Sequence, residues 1–228
     1  MLLLGLDTAT QAVTVALHDG TRVLAEVTTV DKHRHAELLA PAIEQVLATA
    51  GADRADLTGI AVGVGPGPYT GLRVGLVTGR VLGAALGIPV HGVCSLDVIA
   101  ADIDVPRFLV ATDARRREVY FARYDETGRY SGPRVERPAD IEHRGSQPAF
   151  GEGAWLYNDL FRVADGPLYP AAATLCRVVV AELAGGFPAG AGRQLLLPPE
   201  PLYLRRPDAR EPGAPKRVTE TRATGAPA

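Results

Sequence analysis

The sequence predicts an α/β protein of two related lobes, each a mixed β-sheet flanked by helices. Three observations carry this. Strand-like and helical segments follow in the order β-β-β-α-β-α-β from Leu2 to Val93, and the strand pattern restarts after Pro106. Between them, Gly59 to Leu86 joins a short apolar run, a Gly/Pro turn and a glycine-rich helix. Residues 1–105 are expected to form the first lobe and 106–206 the second. Beyond them, 207–228 has almost no apolar content and is expected to be a disordered tail.

Leu2 to Leu6 reads as a buried first strand, and Ala12 to Leu17 with Val23 to Thr29 as two more joined through Asp19-Gly20. His35 to Ala50 is a helix: Leu39, Ile43, Val46, Leu47 and Ala50 recur at helical spacing, and Gly51 ends it. Ile60 to Val64, rich in β-branched residues, is the fourth strand. The helix after it should begin at Thr70, whose hydroxyl can cap the first turn, and end before Gly87. Pro89 to Val93, Phe108 to Thr112 and Val119 to Tyr124 are further strands. A short helix is expected at Trp155 to Arg162 and a stronger one at Ala172 to Leu183, and the last ordered piece at Leu195 to Leu204.

The second helix carries Gly71, Gly75, Gly79 and Gly83 at a spacing of four, which places them on one stripe. Each interior glycine costs about 0.8 to 1 kcal/mol relative to alanine. A bare face that lets another helix approach closely would compensate. The competing reading packs the stripe against its own sheet.

With 228 residues and 46% apolar content, the chain has material for a sizeable core. Its net charge of −2 is uneven: Arg205 to Ala228 holds six basic and three acidic residues, +3, so the remainder holds −5. A body of that sign is not a bulk nucleic-acid binder. Cys94 and Cys176 suggest neither a disulfide framework nor a cysteine metal site. The opening MLLLGLDTAT lacks a basic stretch and meets Asp7 early, so it reads as neither signal nor membrane span, and a cytoplasmic location is expected.

The usual chemistries find little purchase. A P-loop needs a Lys-Ser/Thr pair where this chain has Gly71-Leu72, and no acidic residue follows the next strand as a dinucleotide fold requires. Pro66 and Pro68 remove two N–H donors from the turn. Asp7 and Thr8 end the first strand, where an actin-like ATPase places a carboxylate near phosphate; satisfying backbone groups at the turn is the alternative. His33, His35 and Glu37 lack the four-residue spacing of helical zinc ligands. Gly-x-Ser-x-Gly is absent, and Arg115 to Arg117 is either a phosphate contact or a solvated hairpin tip.

The run Gly65-Pro66-Gly67-Pro68-Tyr69-Thr70-Gly71-Leu72-Arg73 resembles the GPGSFTGLR signature of the TsaB (YeaZ) family, with Pro68 for Ser and Tyr69 for Phe. Leu6 to Thr10, His35-Ala36-Glu37-Leu38-Leu39, Asp113 to Arg116 with Glu118-Val119-Tyr120, and Pro201 to Arg205 resemble it too, in order and spacing. The resemblance implies an actin/Hsp70-like (ASKHA) fold. It further implies a role, without a cofactor or metal of its own, in forming N6-threonylcarbamoyladenosine at position 37 of tRNAs that read codons beginning with A. In that family the chain is a non-catalytic partner of the transferase TsaD, joined by the ATPase TsaE, and it pairs with itself when the transferase is absent; tRNA is met through the complex. The transferase's H-x-x-x-H motif has no counterpart here, since His33 and His35 stand two apart. The alternative is an ATP-dependent phosphotransferase or peptidase-like enzyme of the same superfamily. The resemblance places the partner interface on the first two helices. His35, Leu39, Tyr69, Gly71, Leu72, Arg73, Gly75, Leu76, Gly79, Arg80 and Gly83 are its expected members.

Overall fold

The computed structural model describes residues 1–142, 146–185 and 195–205, so the expected tail at 207–228 lies outside the described residues. The first sheet holds β1 (Leu3–Asp7), β2 (Ala12–His18), β3 (Val23–Val30), β4 (Gly59–Gly63) and β5 (Val90–Val93), in the order β3-β2-β1-β4-β5. β1 runs antiparallel to β2 and parallel to β4, which runs parallel to β5. α1 (His35–Ala50) and α2 (Tyr69–Leu86) belong to this lobe, and α3 (Ser95–Ala100) follows β5.

The second sheet holds β6 (Arg107–Asp113), β7 (Val119–Asp125), β8 (Gly128–Glu136) and β9 (Pro148–Phe150). After α4 (Glu152–Leu156) it is completed by β10 (Arg162–Val163), and α5 (Ala172–Leu183) comes last. Its order, β8-β7-β6-β9-β10, repeats the first sheet strand for strand, with the same parallel and antiparallel pairings. This is the duplicated ASKHA arrangement.

Alternation along β1 fixes which face meets which helix, because successive side chains point to opposite sides of a sheet. Leu4 and Leu6 point into a core shared with Leu39, Ile43 and Val46 of α1 and Leu72 and Leu76 of α2. Leu3 points the other way, into a core with Leu175, Cys176 and Val179 of α5. A Cβ at Gly5 would stand 2.5 Å from the Cys176 sulfur and 2.9 Å from the Ala172 carbonyl, so glycine is what lets α5 lie this close. α5 thus returns from the second half of the sequence to cover the first sheet.

α1 and α5 have the bounds that their apolar stripes predict, and Gly51 and Gly87 close α1 and α2 with φ of 65° and 67°. Three expectations need correction. α2 starts at Tyr69 with Pro68 as N-cap, so Thr70 lies inside the first turn and caps nothing. The helix expected at Trp155 to Arg162 is only the end of α4, after which the chain turns at Tyr157 to Phe161 and enters β10. For α3, β8, β9 and β10 the sequence reading places no such element.

Candidate functional site

The end of β1 is closed. Asp7 is fully buried; its Oδ1 accepts from the Ala9 N–H (2.7 Å) and its Oδ2 from the Ser95 hydroxyl (2.6 Å). Burial pushes its carboxyl up to about 6, against those two hydrogen bonds. The Thr8 hydroxyl donates to the Gly71 carbonyl (2.7 Å) and accepts from the Gly75 N–H (2.9 Å), tying β1 to α2. A Cβ at Gly63 would collide with the Asp7 carboxylate, and one at Gly67 with the Ala9 carbonyl. The Gly/Pro turn therefore fills the place beside the strand end. At 0% and 1% exposure, Asp7 and Thr8 direct their polar atoms to the backbone and to Ser95, which is the turn-satisfying arrangement the sequence offers beside a phosphate contact.

The glycine stripe faces inward. A Cβ at Gly75 would stand 2.5 Å from Thr8 Oγ1; at Gly79 it would meet Val62, and at Gly83 Val90, both well inside van der Waals contact. Gly71 lies against the Thr8 carbonyl and the His35 ring. The stripe is the seam between α2 and its own sheet. His35 is buried with Nε2 at 2.7 Å from the Thr10 carbonyl, and Leu39, Leu72 and Leu76 are core residues. These eight, His35, Leu39, Gly71, Leu72, Gly75, Leu76, Gly79 and Gly83, are therefore not an outward docking face. Of the expected members only Tyr69, Arg73 and Arg80 reach solvent. The surface of α2 instead presents Val77 and Val81, 55% and 62% exposed, with Arg73 and Arg80. The signal was in the sequence: Val77 stands two residues from Gly75 and Gly79, about 200° around the helix.

At the head of α2 the structure joins segments far apart in sequence. The Arg73 guanidinium lies 5.5 Å from the ring centres of both Tyr69 and Tyr203, and its Nε donates to the Tyr203 hydroxyl (2.6 Å). The Tyr69 hydroxyl donates to the Arg205 carbonyl, and the Arg205 guanidinium pairs with Glu118. The Leu202 N–H donates to the Val64 carbonyl (2.9 Å). The signature turn, the Asp113–Glu118 turn and the 201–205 strap thus meet at one place. Tyr203 was not foreseen as a member. A cavity of about 480 Å³ borders Tyr69 and is lined also by Lys32, His33, Val74 and Arg115 among others. Among the described residues no group of three or more His, Cys, Asp or Glu is placed to hold a metal ion.

The turn between β6 and β7 is strained. Arg115, Arg116 and Arg117 all have positive φ (62°, 56° and 62°), a left-handed conformation that costs an L-residue roughly 1–2 kcal/mol. Asp113 Oδ1 accepts from the Arg115 N–H (2.8 Å), the Glu118 N–H donates to the Arg115 carbonyl (3.0 Å), and the Ala114 N–H to the Glu118 carbonyl (3.0 Å). Arg115 leans back on Asp113 (3.4 Å), while Arg116 and Arg117 are exposed and line a cleft of about 370 Å³ with Arg137 and Tyr157. Across the two lobes, Gln11 Nε2 donates to Glu152 Oε2 (2.8 Å); burial pushes Glu152 up to about 7, despite a hydrogen bond to Tyr169.

A family model described as TsaD, tRNA N6-adenosine threonylcarbamoyltransferase, matches residues 22–154. An uncharacterized protein of Mycobacterium tuberculosis is 45% identical, covering 91% of this chain and 93% of its own. The Escherichia coli tRNA threonylcarbamoyladenosine biosynthesis protein TsaB is 32% identical, covering 90% and 95%. Among solved structures, YeaZ from Pseudomonas aeruginosa aligns with a TM-score of 0.68 at 29% identity, over 80% of this chain and 92% of that one. A Pseudomonas aeruginosa protein described as similar to peptidase YeaZ aligns at 0.72 and 29%, over 90% and 99%.

Proposed function

This chain belongs to the TsaB family of tRNA threonylcarbamoyladenosine biosynthesis proteins, and from that premise we propose that it is a non-catalytic subunit that docks on a TsaD-like transferase. One observation carries the docking reading. α2 is buried along its glycine stripe and exposes Val77 and Val81 on the opposite side, an apolar pair that water does not favour and a second helix would cover. Arg73 and Arg80 rim that pair, and Ala36 and Ala40 are exposed on α1, which packs beside α2. The same face serves self-association when the transferase is absent, and a TsaE-like ATPase joins the assembled pair in the cytoplasm.

The non-catalytic reading is supported by Asp7 and Thr8, the pair at the end of β1, both buried and hydrogen-bonded within the fold. Replacing Val77 and Val81 together by glutamate should leave the melting temperature within a degree or two. Affinity for the transferase should fall by more than tenfold, which needs about 1.4 kcal/mol. Unchanged affinity would move the interface elsewhere. The purified chain alone should transfer no threonylcarbamoyl group to tRNA, with activity appearing on addition of the transferase; transfer by the chain alone overturns the subunit reading.

A further inference from the structure

We propose that the arginine turn at 115–117, together with Arg137 and Tyr157 across the cleft it borders, binds the phosphate backbone of RNA. The inference rests on the tRNA-modification reading and assigns it a contact surface. Among the described residues the cleft is lined by Arg116, Arg117 and Arg137 and by no carboxylate. The acids of the turn are occupied elsewhere, Asp113 by Arg115 and Glu118 by Arg205. Arg117 and Arg137 have no ion pair among the described residues, and both are exposed.

Such a concentration is not general basicity, because the sequence before Arg205 carries a net charge of −5. Planar guanidinium groups match phosphate oxygens with paired donors, and a row of them suits an extended backbone. Tyr157 lies in the cleft. Unpaired bases of RNA stack on such rings. The strain at the turn fits the same role. Three consecutive left-handed arginines are held by the Asp113 cap and the Ala114–Glu118 hydrogen bond before any ligand arrives, so ordering is not charged to binding.

The test uses the full chain with its transferase partner and unmodified tRNA, read by fluorescence anisotropy across a salt series. Arg117→Glu with Arg137→Glu should weaken tRNA binding at least tenfold and flatten the salt dependence by roughly two in slope, about one per lost phosphate contact. Arg117→Gly should also weaken binding, with no fall in melting temperature, because glycine accepts positive φ. Unchanged tRNA affinity and slope in the double variant overturn the proposal, as does loss of transferase binding in place of RNA binding. Should the double variant fail to fold, the glycine variant decides by the same two readouts. Product formation by the wild-type complex tests the pathway reading separately: if the wild type modifies tRNA while the variants bind it normally, only the arginine site fails.

Discussion

β1 and β6 hold the same position in their sheets, and both end in an aspartate that accepts from the backbone N–H two residues on: Ala9 to Asp7 at 2.7 Å, Arg115 to Asp113 at 2.8 Å. From that shared start the two turns diverge. The first folds its polar groups inward, where Ser95, Thr8 and the glycines of β4 and α2 pack closely against them. The second is a left-handed loop whose arginines reach into an open cleft. One strand topology therefore supports a closed structural knot on one side and a charged surface on the other. Where glycine is needed for proximity the chain has it; where glycine would relieve backbone strain the chain has arginine. The contrast separates residues fixed by packing from residues fixed by something outside the fold.

The closed side should fail under added atoms. Gly79→Leu forces a side chain into Val62 across the α2–sheet seam, and more than about 3 kcal/mol of stability should be lost, since overpacking of even a few methylenes costs about 1–3. For a chain of this size that corresponds to a melting-temperature drop of roughly 6–12 °C by calorimetry. Normal stability would mean that the seam opens easily, and would return the stripe to the role of a docking face.

That outcome bears on what the sequence could reveal. Spacing of four tells which residues share a side of α2, but a sheet and a second helix both demand small residues at close approach, so the stripe could not name its neighbour. α1 and α5 were legible because Leu39, Ile43 and Val46, and Val178 and Val179, mark broad buried faces. β8 was not, because its residues are half-buried or exposed, without the alternation that marks a strand, and Gly132-Pro133 interrupts it. Tyr203 meets Tyr69 and Arg73 across some 130 residues of chain, a contact no local pattern carries. Nor does an arginine triplet announce positive φ, since arginine is not a residue that favours it.

A pH titration sharpens the contrast next. Asp7 in the folded chain is raised from 3.8 to about 6, so the folded state holds its proton more tightly than the unfolded one. Its contribution is fully present below about pH 4 and is lost as pH rises through 6, a change of roughly 3 kcal/mol for two units. Asp7→Asn should remove that fall. Measured by denaturant unfolding between pH 4 and 7.5, the variant should gain on the wild type as pH rises, by up to roughly 3 kcal/mol. Glu152, raised to about 7, acts in the same direction and leaves a residual slope in the variant. A constant difference between the two proteins across this range would mean that Asp7 is not held in a desolvated site.

The smallest effect has the opposite sign and lies on the open side. At Arg117, φ is 62°, and relieving a left-handed L-residue should return roughly 1–2 kcal/mol. Glycine gives part of this back, about 0.5–1 kcal/mol, through the greater freedom of the unfolded chain. Arg117→Gly should therefore stabilise the protein by about 0.5–1 kcal/mol, a rise in melting temperature of roughly 1–4 °C. The side chain itself removes little from that gain, because it is exposed and makes no ion pair among the described residues. A fall in melting temperature would show that Arg117 is held by packing, as Gly79 is, and the two turns would then be alike in kind. A rise would mean that the fold bears an arginine it does not need, at a position where the cleft does.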